Sequence, residues 1–407
     1  MKILYSFPHK IGAARICYTA WQQVQGLASA GVDVLAMPAS VARPVAANVQ
    51  PTLAKGGFRL PFRLLGKYRA FRLHDRIVAK RLKTVAGEID VVHVWPSAAL
   101  ETIKTAKHLG IPTVLERPNA HTRYAYDIVK AECKRIGVGL PPGDDYTYRM
   151  DVLAREEEEF EKVDYLLCAS EFSARTFRDT GCPSEKIIRH TYGFDEKSYH
   201  PSGQRAKREF TAIFVGVAAV RKGLHLALEA WRRSPAAKDG IFLIAGEVAP
   251  EYAKHLEEYF RDPNIVALGH RRDIPELMRR ADVLVLPSLE EGFGLVCAEA
   301  IGSGCVPIVS EACTEICQHM HNGLVHPIRD TETLTQHIAM LYEDRSLLRR
   351  LRETCIRERL NYTWTAAGHK LLRAYQVAME RHAAAGNHSV VGQIPLIAMQ
   401  AGVHVID

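Results

Sequence analysis

Twelve short apolar runs, separated by segments of helical periodicity, restrict the fold of this chain more than any other feature. The runs are rich in β-branched residues and are apolar throughout, which is typical of strands covered on both faces. They fall in two sets of six, at residues 2–7, 32–37, 90–95, 112–116, 164–170 and 186–191, and at 210–216, 241–246, 264–269, 282–287, 306–310 and 323–327. The pattern predicts an α/β protein with two doubly wound parallel-sheet domains that face each other across a cleft.

The length of the chain agrees with two domains, because 407 residues exceed the ~100–200 of a common single domain. A polar stretch, HPSGQRAKRE, separates the two sets of runs at residues 200–209. We therefore expect a first domain over residues 1–203 and a second over 204–362. A helical segment should follow over 363–385, and residues 386–407 should form a tail or an extra strand.

Much of the net charge of +7 lies between Lys55 and Lys83, where Asp75 is the only acid. Apolar residues are interleaved with the basic ones, and such a stretch suits peripheral contact with an anionic membrane or an acidic acceptor. A solvated helix face is the other interpretation. No nucleic-acid motif accompanies the charge, so we expect no nucleic-acid partner.

The chain lacks any apolar run of the ~18 residues that a spanning helix needs. His9 and Lys10 directly follow the first apolar run, which argues against a signal peptide. These features predict a cytoplasmic protein, associated with a membrane only at its surface. The 9 cysteines have no paired spacing, so we predict no metal site.

The segment ADVLVLPSLEEGFGLVCAEAIGSG at 281–304 predicts an anion site. A buried strand leads through a glycine-bearing loop into a helix, whose first amides lack internal partners and carry the positive end of the helix dipole. Gly292 and Gly294 would let the backbone approach a phosphate closely. Glu291 and Glu299 flank this site and would serve different parts of one ligand, although a pair of surface glutamates is the ordinary alternative.

Two other loops follow predicted strands and could face the cleft. After the strand that ends at Gly216, Arg221 and Lys222 precede a helix and could hold a diphosphate. His121 follows the strand PTVLE in a polar loop, a position that favours the cleft over an ordinary surface histidine.

Several familiar motifs are absent from the sequence. No GxGxxG follows a strand, and no GxxxxGK[ST] is present, which disfavours dinucleotide enzymes and P-loop enzymes. No Asp-x-Asp pair marks a metal that would hold a donor diphosphate. Arg221, Lys222 and helix amides could replace such a metal, so we predict no metal and no cofactor.

Taken together, these residues resemble the retaining glycosyltransferases of family 4, which have the GT-B fold of two Rossmann-like domains. The similarity extends from Met1 to about Arg381 and is strongest in PSLEEGFGLVCAEAIGSGCVPIVS at 287–310. VGVAAVRKG at 215–223, GFDEKSYHP at 193–201 and TWTAAGHKLLRAY at 363–375 also resemble family segments. The last of these resembles the C-terminal helix that crosses back to the N-terminal domain.

The resemblance implies a role for each matching residue. Glu291 would contact the donor sugar, Glu299 the ribose, and the amides of Phe293, Gly294 and Leu295 the diphosphate. Arg221 and Lys222 would supply the cationic pair beside Gly216, His121 would be the cleft histidine, and Gly12 would lie in the acceptor-side loop. The sequence departs from the family at Val217 and Ala13, where arginine and glycine are usual. The first departure puts more weight on Arg221, and the second lies in the acceptor-side loop.

The implied activity is retaining, metal-independent transfer of a hexose-type sugar from a nucleotide-diphosphate sugar to a hydroxyl of a glycan or lipid-linked acceptor. A nucleotide-sugar epimerase or a phosphorylase on the same fold remains an alternative. A non-catalytic carbohydrate-binding or partner-binding protein is another. The presence of Arg221, Lys222, Glu291 and Glu299 favours the transferase.

Overall fold

A seven-stranded parallel sheet forms the centre of the first domain in the computed structural model, which describes residues 1–55, 58–59, 65–202 and 209–385. The strands of this part of the chain are β1 (Lys2–Ile11), β2 (Asp33–Val41), β3 (Asn48–Val49), β4 (Ala54–Lys55), β5 (Phe58–Arg59), β6 (Val91–Val94), β7 (Thr113–Arg117), β8 (Tyr165–Cys168) and β9 (Ile187–Arg189). The sheet order is β3-β2-β1-β6-β7-β8-β9, and β4 and β5 form a separate antiparallel pair.

Helices cover this sheet and connect its parallel strands. They are α1 (Ile16–Ser29), α2 (Lys67–Val85), α3 (Leu100–His108), α4 (Thr122–Ile136), α5 (Met150–Lys162) and α6 (Glu171–Arg178). Strands β6, β7 and β8 are buried at every position, as expected for strands covered on both faces.

The second domain contains a six-stranded parallel sheet in the order β12-β11-β10-β13-β14-β15. Its strands are β10 (Thr211–Val215), β11 (Ile241–Ala245), β12 (Ile265–Gly269), β13 (Val283–Leu286), β14 (Val306–Ser310) and β15 (Leu324–His326). Its helices are α7 (Leu224–Arg233), α8 (Pro250–Leu256), α9 (Ile274–Arg280), α10 (Leu295–Ser303), α11 (Thr331–Glu343) and α12 (Arg345–Glu358), and α13 (Trp364–Ala384) follows them.

The two sheets confirm the predicted fold class. A strand forms at each of the twelve apolar runs. The short strands β3, β4 and β5 were not predicted, because two residues are too few for a hydrophobic pattern. The proposed boundary at residues 203 and 204 and the tail at 386–407 lie outside the described residues.

The final helix returns to the first domain, as the resemblance implied. Helix α13 packs on α1 where two glycines meet, since a Cβ at Gly26 would lie 3.2 Å from the Cα of Gly368. Further along α13, the hydroxyl of Tyr375 lies 2.8 Å from Nδ1 of His93, inside the first domain. The chain therefore passes between the domains twice, once before β10 and once before α13.

Helix α2 accounts for much of the basic stretch at 55–83. Its apolar residues Phe71, Val78 and Leu82 are buried in the first domain, so they are not available to a membrane. Its basic residues Arg69, Arg72, Arg76, Lys80 and Lys83 are exposed. Among the described residues, no helix combines the length and the apolar character needed to cross a bilayer.

Candidate active site

A cavity of about 650 Å³ lies between the domains, and residues of both domains line it. This volume is within the ~300–1,000 Å³ of common small-molecule sites. From the second domain, the predicted residues that line it are Gly216, Arg221, Lys222, Glu291, Phe293, Gly294, Leu295 and Glu299. From the first domain, its lining includes Arg15, Pro118, Asn119, Asp144, Asp145, Tyr146 and Tyr192. The structure thus brings most of the predicted residues together at the carboxyl ends of the strands.

The start of helix α10 has the geometry of an anion site. Gly294 precedes the helix with a φ of 72°, a left-handed conformation that favours glycine. A Cβ there would also lie 2.5 Å from the sulfur of Cys313, so both backbone and packing require glycine. No side chain of the described residues caps the helix, and its first turn contains no acidic residue. The first amides are therefore available to a negatively charged ligand in the cavity.

Lys222 and Glu291 form an ion pair at the wall of this cavity. Arg221 lies behind the pair, with Nη1 3.6 Å from Oε2 of Glu291. Burial would raise the pKa of the Glu291 carboxyl, but Lys222 and Arg221 outweigh burial and lower that pKa from its ordinary value. Glu291 is therefore ionised at neutral pH, and the two cations are held beside the start of α10.

Glu290 joins the two domains and was not among the predicted site residues. Its carboxylate is fully buried and accepts hydrogen bonds from the amide of Ala120 at 3.0 Å and from the hydroxyl of Tyr146 at 2.9 Å. Arg221 donates to the carbonyl oxygen of Glu290 at 3.1 Å, and its guanidinium lies 5.1 Å from the centre of the Tyr146 ring. Glu290 thus connects the loop before α10 to the first domain.

Glu299 lies on the cavity-facing side of α10, apart from Glu291. Burial raises the pKa of its carboxyl to about 7, and a hydrogen bond with Tyr199 only partly opposes that effect. Both protonation states of Glu299 are therefore accessible near neutral pH, and either state can exchange hydrogen bonds with a polar group of a ligand.

Gly292 determines how closely the domains approach. A Cβ on this residue would lie 1.4 Å from the carbonyl oxygen of Pro118 in the first domain. Gly292 therefore packs against the first domain, beside the cavity and not among its lining residues. Gly12 is also outside that lining; its φ is 79°, and a Cβ there would lie 2.5 Å from Cγ of Arg43.

His121 is placed differently from the cleft position that its loop suggested. Its imidazole packs edge-on against Phe160 and Phe177, at ring distances of 5.3 and 5.0 Å. Its Nδ1 accepts a hydrogen bond from the amide of Arg123, which caps helix α4. Burial, with help from Arg117 and Arg123, lowers the pKa of His121 to about 4. His121 is not among the residues that line the cavity, so its catalytic role stays a prediction without support from this geometry.

A second group of charges crosses between the domains at Glu132 of helix α4. The buried carboxylate lies 2.7 Å from Nε2 of His225 and 2.7 Å from Nε of Arg329, both in the second domain, and 2.7 Å from Nη2 of Arg135. Burial would raise the pKa of Glu132, but the bonds to His225 and Arg135 lower it to about 2. Glu132 thus stabilises the contact between the domains as an anion.

The residues missed by sequence reasoning lie in loops that meet only after folding. Tyr146 belongs to the stretch GLPPGDDYTY at 139–148, whose density of proline, glycine and aspartate was a usable signal of an ordered loop. Glu290 directly precedes Glu291 in the sequence. The two adjacent acids were a usable signal, but only Glu291 was predicted to have a role.

Comparisons with known proteins concern the second domain and the overall fold. Residues 209–344 match the family model described as "Glycosyl transferases group 1". The chain is 31% identical over 120 residues to the N,N'-diacetylbacillosaminyl-diphospho-undecaprenol alpha-1,3-N-acetylgalactosaminyltransferase of Campylobacter jejuni, covering 29% of this chain and 32% of that protein. It is 31% identical over 116 residues to the UDP-Gal:alpha-D-GlcNAc-diphosphoundecaprenol alpha-1,3-galactosyltransferase of Escherichia coli, covering 27% and 30%. The chain thus spans about a third of the length of these curated relatives.

The whole fold is also similar to a solved structure. Sucrose-phosphate synthase of Thermosynechococcus elongatus superposes with a TM-score of 0.67 and 17% sequence identity, over 94% of this chain and 99% of that one. At this identity the similarity concerns the fold. Residues 209–344 of the second domain thus match the group 1 glycosyl transferase family model, and the chain as a whole has the two-domain GT-B fold.

Proposed function

We propose that this protein is a glycosyltransferase that moves a sugar from a nucleoside-diphosphate sugar to an acceptor hydroxyl. The observation that carries the proposal is the pairing of Lys222 and Glu291 beside the uncapped start of helix α10, in a cavity lined by both domains. Cations and free amides suit a diphosphate, and a carboxylate suits sugar hydroxyls. No observation in the described residues favours an epimerase, a phosphorylase or a non-catalytic binding protein over this activity.

The charges at the site match the needs of a leaving diphosphate. Lys222, Arg221 and the first amides of α10 would stabilise the negative charge that develops as the nucleoside diphosphate departs. With these groups in place, we expect the reaction to need neither a metal nor a cofactor. Glu291, held as an anion, would accept hydrogen bonds from the donor sugar, and Glu299 would bind the ribose hydroxyls.

We further propose that transfer proceeds with retention at the anomeric carbon. The acceptor oxygen would bond to the anomeric carbon on the face from which the diphosphate leaves, as the bond between that carbon and the phosphate oxygen breaks. The departing phosphate oxygen would take the proton of the acceptor hydroxyl, so atoms and charge balance without a protein nucleophile. Lys222 would favour this step because it stabilises the phosphate before the proton arrives.

The names of the relatives suggest the substrates. The Escherichia coli relative is named for a UDP-Gal donor, and both relatives are named for undecaprenol diphosphate acceptors. We propose a hexose donated from a nucleoside diphosphate and a lipid-linked or glycan acceptor. The exposed basic residues of α2 would bring the protein to an anionic membrane surface where such an acceptor is found.

A thermal-shift panel with UDP, GDP, ADP, TDP and NAD tests the donor site. A ligand at about 100 times its dissociation constant adds ~2.7 kcal/mol to the stability of the fold. We expect a clear shift with one nucleoside diphosphate and none with NAD. Folded protein that responds to none of the five would contradict the proposal.

Lys222→Met tests the assignment within that panel. The variant should lose most of the shift with the nucleoside diphosphate, because the methionine keeps the length of the side chain and removes its charge. Lys254→Met, an exposed lysine of α8, is the matched control and should keep the full shift. Equal shifts in both variants would remove Lys222 from the site.

A further inference from the structure

A second cavity of about 540 Å³ adjoins the cleft on the side of the first domain. It lies between the start of helix α2 and the loop that follows α4, and Asp144 and Asp145 line both this cavity and the cleft. The two cavities therefore meet at these aspartates.

One wall of the second cavity is basic. Lys67, Arg69 and Arg72 line it from the first two turns of α2. Lys67 is engaged, because its Nζ lies 2.7 Å from Oδ1 of Asp145. Arg69 and Arg72 form no ion pair with any described residue, and both are exposed. Two unpaired guanidinium groups that line one concave surface are suited to a ligand with a phosphate group.

The opposite wall is acidic and polar. Asp144, Asp145 and Thr147 line it, and these are groups that accept hydrogen bonds from sugar hydroxyls. Between the walls, the guanidinium of Arg149 lies 4.5 Å from the centre of the Tyr68 ring and also pairs with Asp151 at 2.8 Å. Tyr68 also lines the cavity, with Arg149 held over its ring.

We propose that this second cavity binds the acceptor as a phosphate-linked sugar. The sugar would lie against Asp144 and Asp145, with its hydroxyl directed to the cleft, and the phosphate would lie against Arg69 and Arg72, away from the donor. The inference rests on the proposed glycosyltransferase activity and deepens it. The argument depends on which wall adjoins the cleft. Asp144 and Asp145 line both cavities, whereas Arg69 and Arg72 line the second cavity and not the cleft.

The test compares three acceptors that share one sugar: a short isoprenyl diphosphate sugar, the sugar 1-phosphate, and an uncharged alkyl glycoside. Each is used in neutral detergent with the wild type and with Arg69→Gln/Arg72→Gln. We expect the wild type to have a KM about tenfold lower for the phosphorylated acceptors, an advantage that falls as salt rises. The double variant should lose that advantage and keep its KM for the alkyl glycoside.

Lys80→Gln/Lys83→Gln is the matched control, because it removes the same charge from exposed positions of the same helix away from this cavity. It should keep the preference for phosphorylated acceptors. Equal KM values for charged and uncharged acceptors in the wild type, or an equal loss in both double variants, would overturn the proposal. A lower KM for the isoprenyl acceptor than for the 1-phosphate would assign the site to a lipid-linked acceptor, and equal values would assign it to a soluble sugar phosphate.

The thermal shift with a nucleoside diphosphate separates this inference from the proposed function. If the shift persists in both double variants while the acceptors show no preference, the donor site stands and the phosphate site is wrong. If the wild type shows no shift and no transfer, the proposed function itself is wrong.

Discussion

Replacing Gly292 by alanine should hold the two domains apart. The added Cβ would lie 1.4 Å from the carbonyl oxygen of Pro118 and 2.8 Å from the amide nitrogen of Asn119. Ordinary contacts begin at 3.4 Å, so the opposing backbone would have to retreat by about 2 Å. Gly292 is not among the glycines with positive φ, so alanine strains no backbone angle there. The cost therefore falls on the contact between the domains.

Overpacking of this kind costs ~1–3 kcal/mol, which lowers the fraction of protein with a closed cleft by about 5-fold to 150-fold. We expect kcat/KM to fall by a similar factor, because residues of both domains line the cavity. The affinity for a nucleoside diphosphate should change less, since Lys222 and the start of α10 belong to the second domain alone.

Steady-state transfer rates measure the expected loss of activity, and small-angle X-ray scattering measures the expected separation of the domains. Gly292→Ala should reduce transfer and increase the radius of gyration. Gly139→Ala is the control, because a Cβ at Gly139 would meet nothing within 4 Å. Unchanged transfer and unchanged scattering in Gly292→Ala would refute the idea that transfer requires the second domain to close onto Pro118.

Four glutamates give further predictions. Glu291→Gln should lower kcat by about 100-fold to 1,000-fold in a transfer assay, and a loss below tenfold would exclude it from the chemistry. Glu290→Gln should weaken the contact between the domains by ~1–3 kcal/mol and expand the protein in scattering, without changing the thermal shift with a nucleoside diphosphate. Because the pKa of Glu132 is lowered from 4.5 to about 2, its stabilising effect should be lost as pH falls through that range, and Glu132→Gln should flatten the melting temperature there. The pKa of Glu299 is raised from 4.5 to about 7, so its effect on the free energy of unfolding has the opposite sign. Stability should fall as pH rises from 4.5 to 7, and it should fall less in Glu299→Gln.

The strands were predictable because parallel sheets impose a strong local pattern. A strand such as Val283–Leu286 is buried at every position, and the chain therefore has to place apolar residues there without interruption. The start of α10 was predictable for a similar reason, since Gly294 must adopt a left-handed conformation in any sequence that folds this way. Local requirements of this kind are visible in one sequence.

Contacts between the domains were not predictable, because they depend on residues far apart in the chain. Glu290 and Tyr146 are 144 positions apart, and no local pattern relates them. The His121 loop shows the same limit from the other direction. The residue follows a strand, as a cleft residue would, but its side chain caps α4 and packs on Phe160. The end of a strand in the sequence shows where a loop begins. It does not show in which direction the side chains of that loop point.

The double passage of the chain between the domains has a consequence for how the protein can be divided. The two passages run side by side, with Phe194 bridged to Thr363 and the amide of Trp364 bonded to the carbonyl oxygen of Phe194 at 3.2 Å. A protease cut between Ser202 and Glu209 breaks the covalent connection between the two domains. Helix α13 stays attached to the second domain and still packs on the first, where its Tyr375 is hydrogen-bonded to His93. Fragments 1–202 and 209–385 should accordingly reassemble without added fusion partners, so the protein could be expressed as two pieces that associate on mixing.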